Sequence, residues 1–262
     1  MIADEDTFNE EYLYECRETL QNVLSDSVYN VRVCFGIYRT DNMNESLSFM
    51  CDKASFAVAS IKDDTHSFIA YYDDTMLEAA IKYKTIVDEF DDAIKAGEFK
   101  MYLQPQISAK TRRLTGAEAL VRRIKPDGTI ISPIDFIPVY EKSGLISRLD
   151  RYIWEQAAAK LGEWKKAGIN MSISVNISPK DFYYIDIFNT FAGLIKKYDI
   201  EPSNLKIEIT ETTIMSDVPN LMGELEELRK AGFTLEMDDF GSGYSSLNTL
   251  KDINVDVLKV DM

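Results

Sequence analysis

The sequence predicts an α/β fold, and within that class a TIM-like (β/α) barrel. From residue 98 onward, short apolar strands alternate with amphipathic helices, a pattern typical of a parallel sheet covered by helices. Polar residues recur at the ends of the predicted strands, where barrel enzymes build their active sites. No glycine-rich phosphate loop follows any of these strands, which disfavours a nucleotide-binding doubly wound sheet.

The predicted elements can be placed in order along the chain. Apolar runs predict strands at residues 99–104, 114–121, 171–177, 205–211, 233–237 and 255–260. Helical spacing predicts helices at residues 134–143 and 149–167, the second of which ends at Gly168. Ser178 and Pro179 are typical of the first residues of a helix, which we expect to run to about residue 198. Asp217 is expected to cap a last helix that ends at Gly232.

Composition excludes several classes of protein. The 262 residues are 45% hydrophobic, which is enough for a sizeable core, and they contain neither a membrane-spanning apolar run nor a signal peptide. The formal net charge of −15 disfavours binding to nucleic acid polymers or to anionic membranes. The three cysteines match no zinc pattern and indicate reduced thiols in a cytoplasmic protein, where we expect them to be small buried side chains.

The chain has one histidine, His66, and its surroundings predict a polar surface turn. Acid–base chemistry must therefore depend on carboxylates, on lysine or on metal-activated water.

Five polar residues lie at or near the carboxyl ends of predicted strands: Glu118, Asn176, Glu208, Asp238 and Lys259. Alternation along residues 205–210 places Glu208 on the face opposite the aliphatic side chains, so it is predicted to point into the barrel. Several carboxylates can share such an interior around cations, and oxygen ligands suit Mg²⁺, Mn²⁺ or Ca²⁺. For each residue taken singly, a structural salt bridge remains the alternative.

Asp238 and Asp239 stand side by side where a strand stops and a glycine-rich turn begins. Adjacent like charges repel, and a divalent cation converts that repulsion into shared coordination. The alternative is an ordinary acidic turn before a helix.

Several motifs occur together in one order. They are YLQPQ at residues 102–106, EALVR at 118–122, FIP at 136–138, NIS at 176–178, EITE at 208–211, DDFGSGYSSL at 238–247 and KVD at 259–261. This set resembles the EAL domains, bacterial phosphodiesterases that open cyclic di-GMP to the linear dinucleotide 5′-pGpG. The resemblance covers residues 98–262 and implies an EAL-type barrel.

The resemblance implies a role for each matching position. The metal ligands would be Glu118, Asn176, Glu208 and Asp238 for one ion and Asp239 for a second, with Mg²⁺ or Mn²⁺ active and Ca²⁺ inhibitory. Lys259 would position or deprotonate the attacking water, and Glu211 would steady the loop at residues 240–247. The substrate would contact Gln104, Leu120 and Arg122. A homodimer through the barrel is also implied.

The N-terminal part resembles the closing half of a diguanylate cyclase (GGDEF) domain. Its strand–helix–strand order is carried by residues 31–38, 54–59 and 68–73, and it lacks the Gly-Gly-Asp/Glu-Glu-Phe turn, so cyclase activity is not expected. We therefore expect a partial GGDEF-like region at residues 1–75, a connecting helix at 76–97 and the barrel at 98–262. A membrane link is expected only through a possible sensor region upstream.

The predicted barrel spans 165 residues and about six strands, against roughly 250 residues for a typical barrel. We expect the native protein to supply the closing strands. Two functions are then compatible with the sequence. The favoured one is two-metal hydrolysis of cyclic di-GMP in second-messenger signalling, and the alternative is a noncatalytic receptor or scaffold that binds cyclic di-GMP.

Overall fold

A computed structural model describes residues 7–24, 32–40, 42, 44–62, 64, 66–216, 218–241 and 254–260. The chain forms two compact units, divided between Thr85 and Ile86. This division falls inside the segment 76–97, which the sequence assigns to a connecting helix.

The first unit contains a strand–helix–strand arrangement. Its elements are α1 (Glu10–Leu24), β1 (Phe35–Ile37), α2 (Leu47–Ser60), β2 (Ile69–Tyr71) and most of α3 (Asp74–Asp88). Strands β1 and β2 pair in parallel. Gly36 allows α2 to lie directly on β1, because a Cβ at this position would be 1.9 Å from the carbonyl oxygen of Ala54. The predicted order of elements is therefore present, while the likeness to a cyclase domain stays a prediction.

The second unit contains the long alternation of strands and helices. Its elements are α4 (Phe90–Ala96), β3 (Phe99–Ile107), β4 (Leu114–Ile124), β5 (Ile130–Ile131), α5 (Pro133–Ser143), α6 (Ile146–Lys166), β6 (Ser172–Asn176), α7 (Asp181–Tyr184), α8 (Ile187–Tyr198), β7 (Leu205–Thr210), α9 (Glu211–Met215), α10 (Leu221–Lys230), β8 (Leu235–Phe240) and β9 (Val257–Val260).

The sheet of this unit is mixed rather than wholly parallel. Its strands follow the order β3-β4-β6-β7-β8-β9, and β5 pairs with β4 off this path. Pairing is parallel from β4 to β9 but antiparallel between β3 and β4. The expectation of an all-parallel sheet is wrong here, because the short connection between Ile107 and Leu114 leaves no room for a crossover helix. Within the described residues the path is open, with β3 and β9 at its ends, so closure into a barrel stays a prediction.

Successive side chains of each strand point to opposite faces of the sheet, one of which is apolar and the other polar. Ile173, Val175, Ile207 and Ile209 are fully buried in the hydrophobic core, together with α6 residues such as Leu149 and Leu161. The aliphatic face therefore packs against the helices, and the intervening polar residues of the same strands share the opposite face.

Two predicted helices are each interrupted. The helix expected at residues 178–198 is two helices, α7 and α8, and Asp186 caps the second by accepting a hydrogen bond from the Asn189 N–H at 3.0 Å. The helix expected at residues 76–96 is interrupted at Glu89, whose carboxylate lies 2.7 Å from Arg123 Nη2. Asp217, the expected cap of the last helix, lies outside the described residues, and the helix there begins at Leu221.

All three cysteines are free, as the sequence indicates. The expectation that they are buried is wrong, since Cys51 is exposed and Cys16 and Cys34 are half-buried. His66 is exposed, as predicted. None of the helices in the described parts of the chain combines the length and the apolar character needed to cross a bilayer.

Candidate metal centre and active site

Three carboxylates from three different strands converge on the polar face of the sheet. Glu118 of β4, Glu208 of β7 and Asp238 of β8 each place an oxygen within 4.8 Å of the others. The register explains the convergence: Asn176 lies opposite Glu208, and Thr210 lies opposite Asp238, so these residues occupy one end of parallel neighbours. Among the described residues, this is the one group of three side chains with such spacing.

Glu208 is the most constrained of the three carboxylates. It is fully buried, and its Oε2 atom has no hydrogen-bond partner among the described residues. Burial, contact with Asp238 and the charge of Glu118 raise the pKa of Glu208 to about 8, although Lys259 opposes the shift. A buried carboxylate oxygen without a donor is costly, and a cation is the ligand that compensates it best in a group of three acids.

Lys259 lies between two of these carboxylates. Its ammonium is 3.0 Å from Glu118 Oε2 and also donates a hydrogen bond to Glu208 Oε1. Burial works against the charged form, but the bonds to Glu208 and Glu118 prevail and raise the pKa of Lys259 above its ordinary value. The lysine is therefore a cation and a hydrogen-bond donor at neutral pH.

Asn176 is fixed from both sides. Its amide Nδ2 lies 3.5 Å from Glu118 Oε1, and its backbone carbonyl accepts a 2.9 Å hydrogen bond from the indole N–H of Trp154. Trp154 is almost fully buried in α6. The helix layer thus holds the end of β6 in place, a contact that the sequence did not reveal because it joins a core aromatic residue to a backbone atom.

Asp239 and Glu211 lie beside the three-carboxylate group rather than in it. Asp239 is exposed and has a φ of 55°, a left-handed conformation inside β8, where the pairing with β9 shifts register between Met237 and Phe240. Glu211 is buried, and its Oε2 atom accepts a 2.9 Å hydrogen bond from the Gly241 N–H. Glu211 therefore holds Gly241, two residues after Asp239, while residues 242–253 lie outside the described residues.

The predicted substrate residues share the polar face with Glu118. Gln104 of β3 lies opposite Glu118 in the register and is exposed. Leu120 and Arg122 follow Glu118 at intervals of two along β4 and are half-buried. The Arg122 guanidinium donates to the carbonyl of Val121 at 2.8 Å. These three side chains therefore border the centre without joining its carboxylates.

Sequence reasoning missed a second group of polar side chains on this face. We call it the lower polar layer and define it as Gln106, Ser174, Lys206 and Glu236. Glu236 is 2% exposed and accepts hydrogen bonds from Ser174 Oγ at 2.6 Å and from Lys206 Nζ at 2.7 Å. Gln106 Nε2 completes the layer at 3.5 Å from Ser174 Oγ. Glu236 lies two residues before Asp238 on β8 and so shares its face. This spacing was the signal from which the sequence could have predicted the lower polar layer.

The donor set fits a divalent cation. It consists of three carboxylates, contains no cysteine or histidine among the described residues, and includes the unpartnered Oε2 atom of Glu208. Hard oxygen ligands of this kind suit Mg²⁺, Mn²⁺ or Ca²⁺.

Comparison with known proteins gives the family. The profile of the EAL domain matches residues 87–262, about two thirds of the chain. This chain belongs to the EAL domain family. The matched range contains all of the metal-ligand candidates of this EAL domain.

Individual relatives support the assignment. Signaling protein YkoW of Bacillus subtilis is 32% identical over 209 residues, which cover 80% of this chain and 26% of that protein. The probable cyclic di-GMP phosphodiesterase PdeI of Escherichia coli is 30% identical over 273 residues, covering 97% of this chain and 34% of PdeI. The EAL-domain chain thus spans about a quarter to a third of the length of these curated relatives.

Solved structures give the same result. The PaMucR phosphodiesterase in complex with c-di-GMP superposes with a TM-score of 0.63 at 31% identity, covering 68% of this chain and 72% of that one. The EAL domain of Xanthomonas citri FimX, also in complex with c-di-GMP, superposes with a TM-score of 0.63 at 22% identity, which shows the shared fold.

Proposed function

We propose that this EAL domain is a cyclic di-GMP phosphodiesterase that hydrolyses its substrate to linear 5′-pGpG with the help of divalent cations. The observation that carries the proposal is the convergence of Glu118, Glu208 and Asp238, with the ammonium of Lys259 bound to the first two. The names of PdeI and of the PaMucR complex supply the substrate class. A structural ion-pair network would need neither the third carboxylate, Asp238, nor an unpartnered buried oxygen on Glu208.

The cations, Mg²⁺ or Mn²⁺, would lower the pKa of a bound water and offset the charge on the phosphodiester. Glu118, Asn176, Glu208 and Asp238 would hold the first ion, and Asp239 would reach the second. Ca²⁺ would bind to the same oxygens and inhibit, because it tolerates longer and more variable ligand distances.

Lys259 would orient the attacking water and then steady charge on the phosphate oxygens. Its position beside Glu118 and Glu208 suits this role, since the ammonium is already desolvated and directed toward the centre. Glu211 would act as a positioning residue, through its hydrogen bond to the Gly241 N–H.

Arg122, Leu120 and Gln104 would bind the substrate. The formal net charge of −15 repels a dianionic dinucleotide in general, so a local cation is needed at the site. Arg122 offers a guanidinium for a phosphate oxygen, and Leu120 offers an apolar surface for a base.

The test is cyclic di-GMP turnover by the full-length native protein, followed by chromatography of the linear product. Mg²⁺ and Mn²⁺ should support turnover and Ca²⁺ should not, and Glu118→Ala or Lys259→Ala should abolish it. Glu155→Gln, which removes a carboxylate paired with Lys197 on the helix layer, is the matched control and should leave the rate unchanged. Tight binding of cyclic di-GMP without any hydrolysis in Mg²⁺ and Mn²⁺ would favour the receptor alternative instead.

We further propose that this EAL domain acts in the bacterial cytoplasm as a homodimer through the barrel. Its N-terminal unit would be a GGDEF-like remnant that relays a signal, and any membrane link would come from a sensor region upstream.

A further inference from the structure

The lower polar layer contains a buried ion pair that the proposed chemistry does not use. The Lys206 side chain is 22% exposed and that of Glu236 is 2% exposed, and their charged atoms are 2.7 Å apart. A buried ion pair adds little stability relative to well-packed apolar residues, because both charges lose their hydration. Its position therefore calls for another explanation.

The pair joins β7 and β8, two neighbouring strands that each carry a carboxylate of the metal centre. Lys206 precedes Glu208 by two residues on β7, and Glu236 precedes Asp238 by two residues on β8, so all four side chains share one face. Glu236 lies directly opposite Glu208 in the register. Two carboxylates directly opposite each other repel, and each of these two has its own lysine: Lys206 for Glu236 and Lys259 for Glu208.

Lys206 could reach Glu208 if Glu236 did not hold it. Residues two apart on a strand lie about 7 Å from each other, within the reach of a lysine side chain. The Oε2 atom of Glu208 has no hydrogen-bond partner among the described residues, so it is an open acceptor on that face. An ammonium on this oxygen would take the place of a cation.

We propose that Glu236 is a positioning residue of the metal centre: by binding Lys206, it keeps that ammonium away from Glu208 and leaves the Glu208 carboxylate to the cation. Ser174 assists by donating to the other oxygen of Glu236, which keeps this carboxylate out of the ligand group. The inference rests on the proposed metal-binding role of Glu208.

The test is Mn²⁺ affinity, measured by calorimetry on the full-length protein without substrate. Glu236→Gln should weaken Mn²⁺ binding by about tenfold or more, since an ammonium in contact with a carboxylate inside a protein opposes a cation by at least that factor. The double variant K206M/E236Q should bind Mn²⁺ within about threefold of the wild type, because the competing ammonium is gone. Glu155→Gln serves as the matched control and should have no effect.

A crystal structure of E236Q separates competition by Lys206 from the general loss of one negative charge. Competition predicts that Lys206 Nζ lies within hydrogen-bond distance of Glu208. If Lys206 lies elsewhere, or if the double variant is as weak as E236Q, the proposal is overturned. If E236Q does not fold but the double variant folds and binds Mn²⁺ normally, the proposal is supported; a double variant without Mn²⁺ binding overturns it.

These outcomes are distinct from failure of the proposed function. A wild-type protein that binds Mn²⁺ but hydrolyses nothing removes the phosphodiesterase assignment and leaves the affinity test of Glu236 valid. A wild-type protein that binds no Mn²⁺ overturns both.

Discussion

Lys259 and Glu118 are 141 residues apart in the chain, and their side chains meet at 3.0 Å on the polar face of the sheet. The same ammonium also binds Glu208, so Lys259 of β9 links the carboxylate on β4 to the carboxylate on β7. This contact draws β4, β7 and β9 toward one point. It places the lysine beside the carboxylates that are proposed to bind the cation.

Replacing Lys259 by methionine should separate metal binding from catalysis. The variant loses the ammonium but leaves Glu118 and Glu208 free for a cation, so we expect Mn²⁺ affinity to be equal or higher. Turnover of cyclic di-GMP should fall by about 10²-fold or more, the usual contribution of a positioned proton-handling group. Calorimetry and initial rates measure the two quantities. Turnover close to the wild-type rate would remove Lys259 from the mechanism.

The hydrogen bond from the Gly241 N–H to Glu211 should matter for activity more than for folding. Glu211→Ala removes the acceptor that holds the chain just after Asp238 and Asp239, and we expect turnover to fall about tenfold or more through the lost charged hydrogen bond. Glu211→Gln keeps an acceptor oxygen and should retain more activity. Turnover rates and thermal melting curves of both variants measure the effects on activity and on folding. Equal rates for the two variants would contradict this role.

Two adjacent arginines of β4 should give opposite phenotypes. Arg122 is on the polar face, so Arg122→Ala should raise the KM for cyclic di-GMP with little change in melting temperature. Arg123 is 2% exposed and pairs with Glu89 and Glu98, so Arg123→Met should lower the free energy of unfolding by about 3 kcal/mol. Denaturant titration and steady-state kinetics measure both. A destabilised R122A protein with an unchanged KM would reverse the assignment.

The buried carboxyl of Asp181 should make stability depend on pH. Asp181 is fully buried, its Oδ1 atom has no donor among the described residues, and it lies near Asp150 and Glu141. Burial raises the pKa of Asp181 to about 6. Because the folded state holds this proton more tightly than the unfolded chain, its stabilising effect is complete below about pH 4 and is lost as the pH rises through about 6.

The measurement is the free energy of unfolding between pH 4 and pH 7 in the presence of a chelator. Wild-type stability should fall more steeply across this range than that of Asp181→Asn, which carries no titrating group at this position. Asp186→Asn is the control, because Asp186 lies at the start of α8 as Asp181 lies at the start of α7, but is exposed. Parallel profiles for the wild type and D181N would show that Asp181 does not hold the proton.

Strand periodicity was enough to predict much of the site. The alternation of Lys206, Glu208 and Thr210 with aliphatic residues predicted that Glu208 points away from the helices, and the structure buries it on that face. The strand-end rule likewise predicted that Glu118, Asp238 and Lys259 would meet. These features depend on local spacing, which a single sequence contains.

Features that interrupt a regular pattern, or that depend on contacts between distant residues, were not predicted. The antiparallel pairing of β3 follows from a short connection rather than from the composition of the strand. The break between α7 and α8 depends on Asp186 as a cap inside an otherwise helical pattern. In the sequence, nothing distinguishes Glu236 from an ordinary acidic residue. Its role becomes visible only from the register of the strands, which places it beside Ser174 and Lys206.

The central claim is that Glu118, Glu208 and Asp238 hold the cation that enables hydrolysis. The most direct measurement is Mn²⁺ binding and cyclic di-GMP turnover in the same preparation of the full-length protein, compared with Glu208→Gln. We expect the wild type to bind Mn²⁺ and to produce 5′-pGpG, and E208Q to lose both while remaining folded. Wild-type turnover by an E208Q protein, or turnover that persists in excess chelator, would contradict the account.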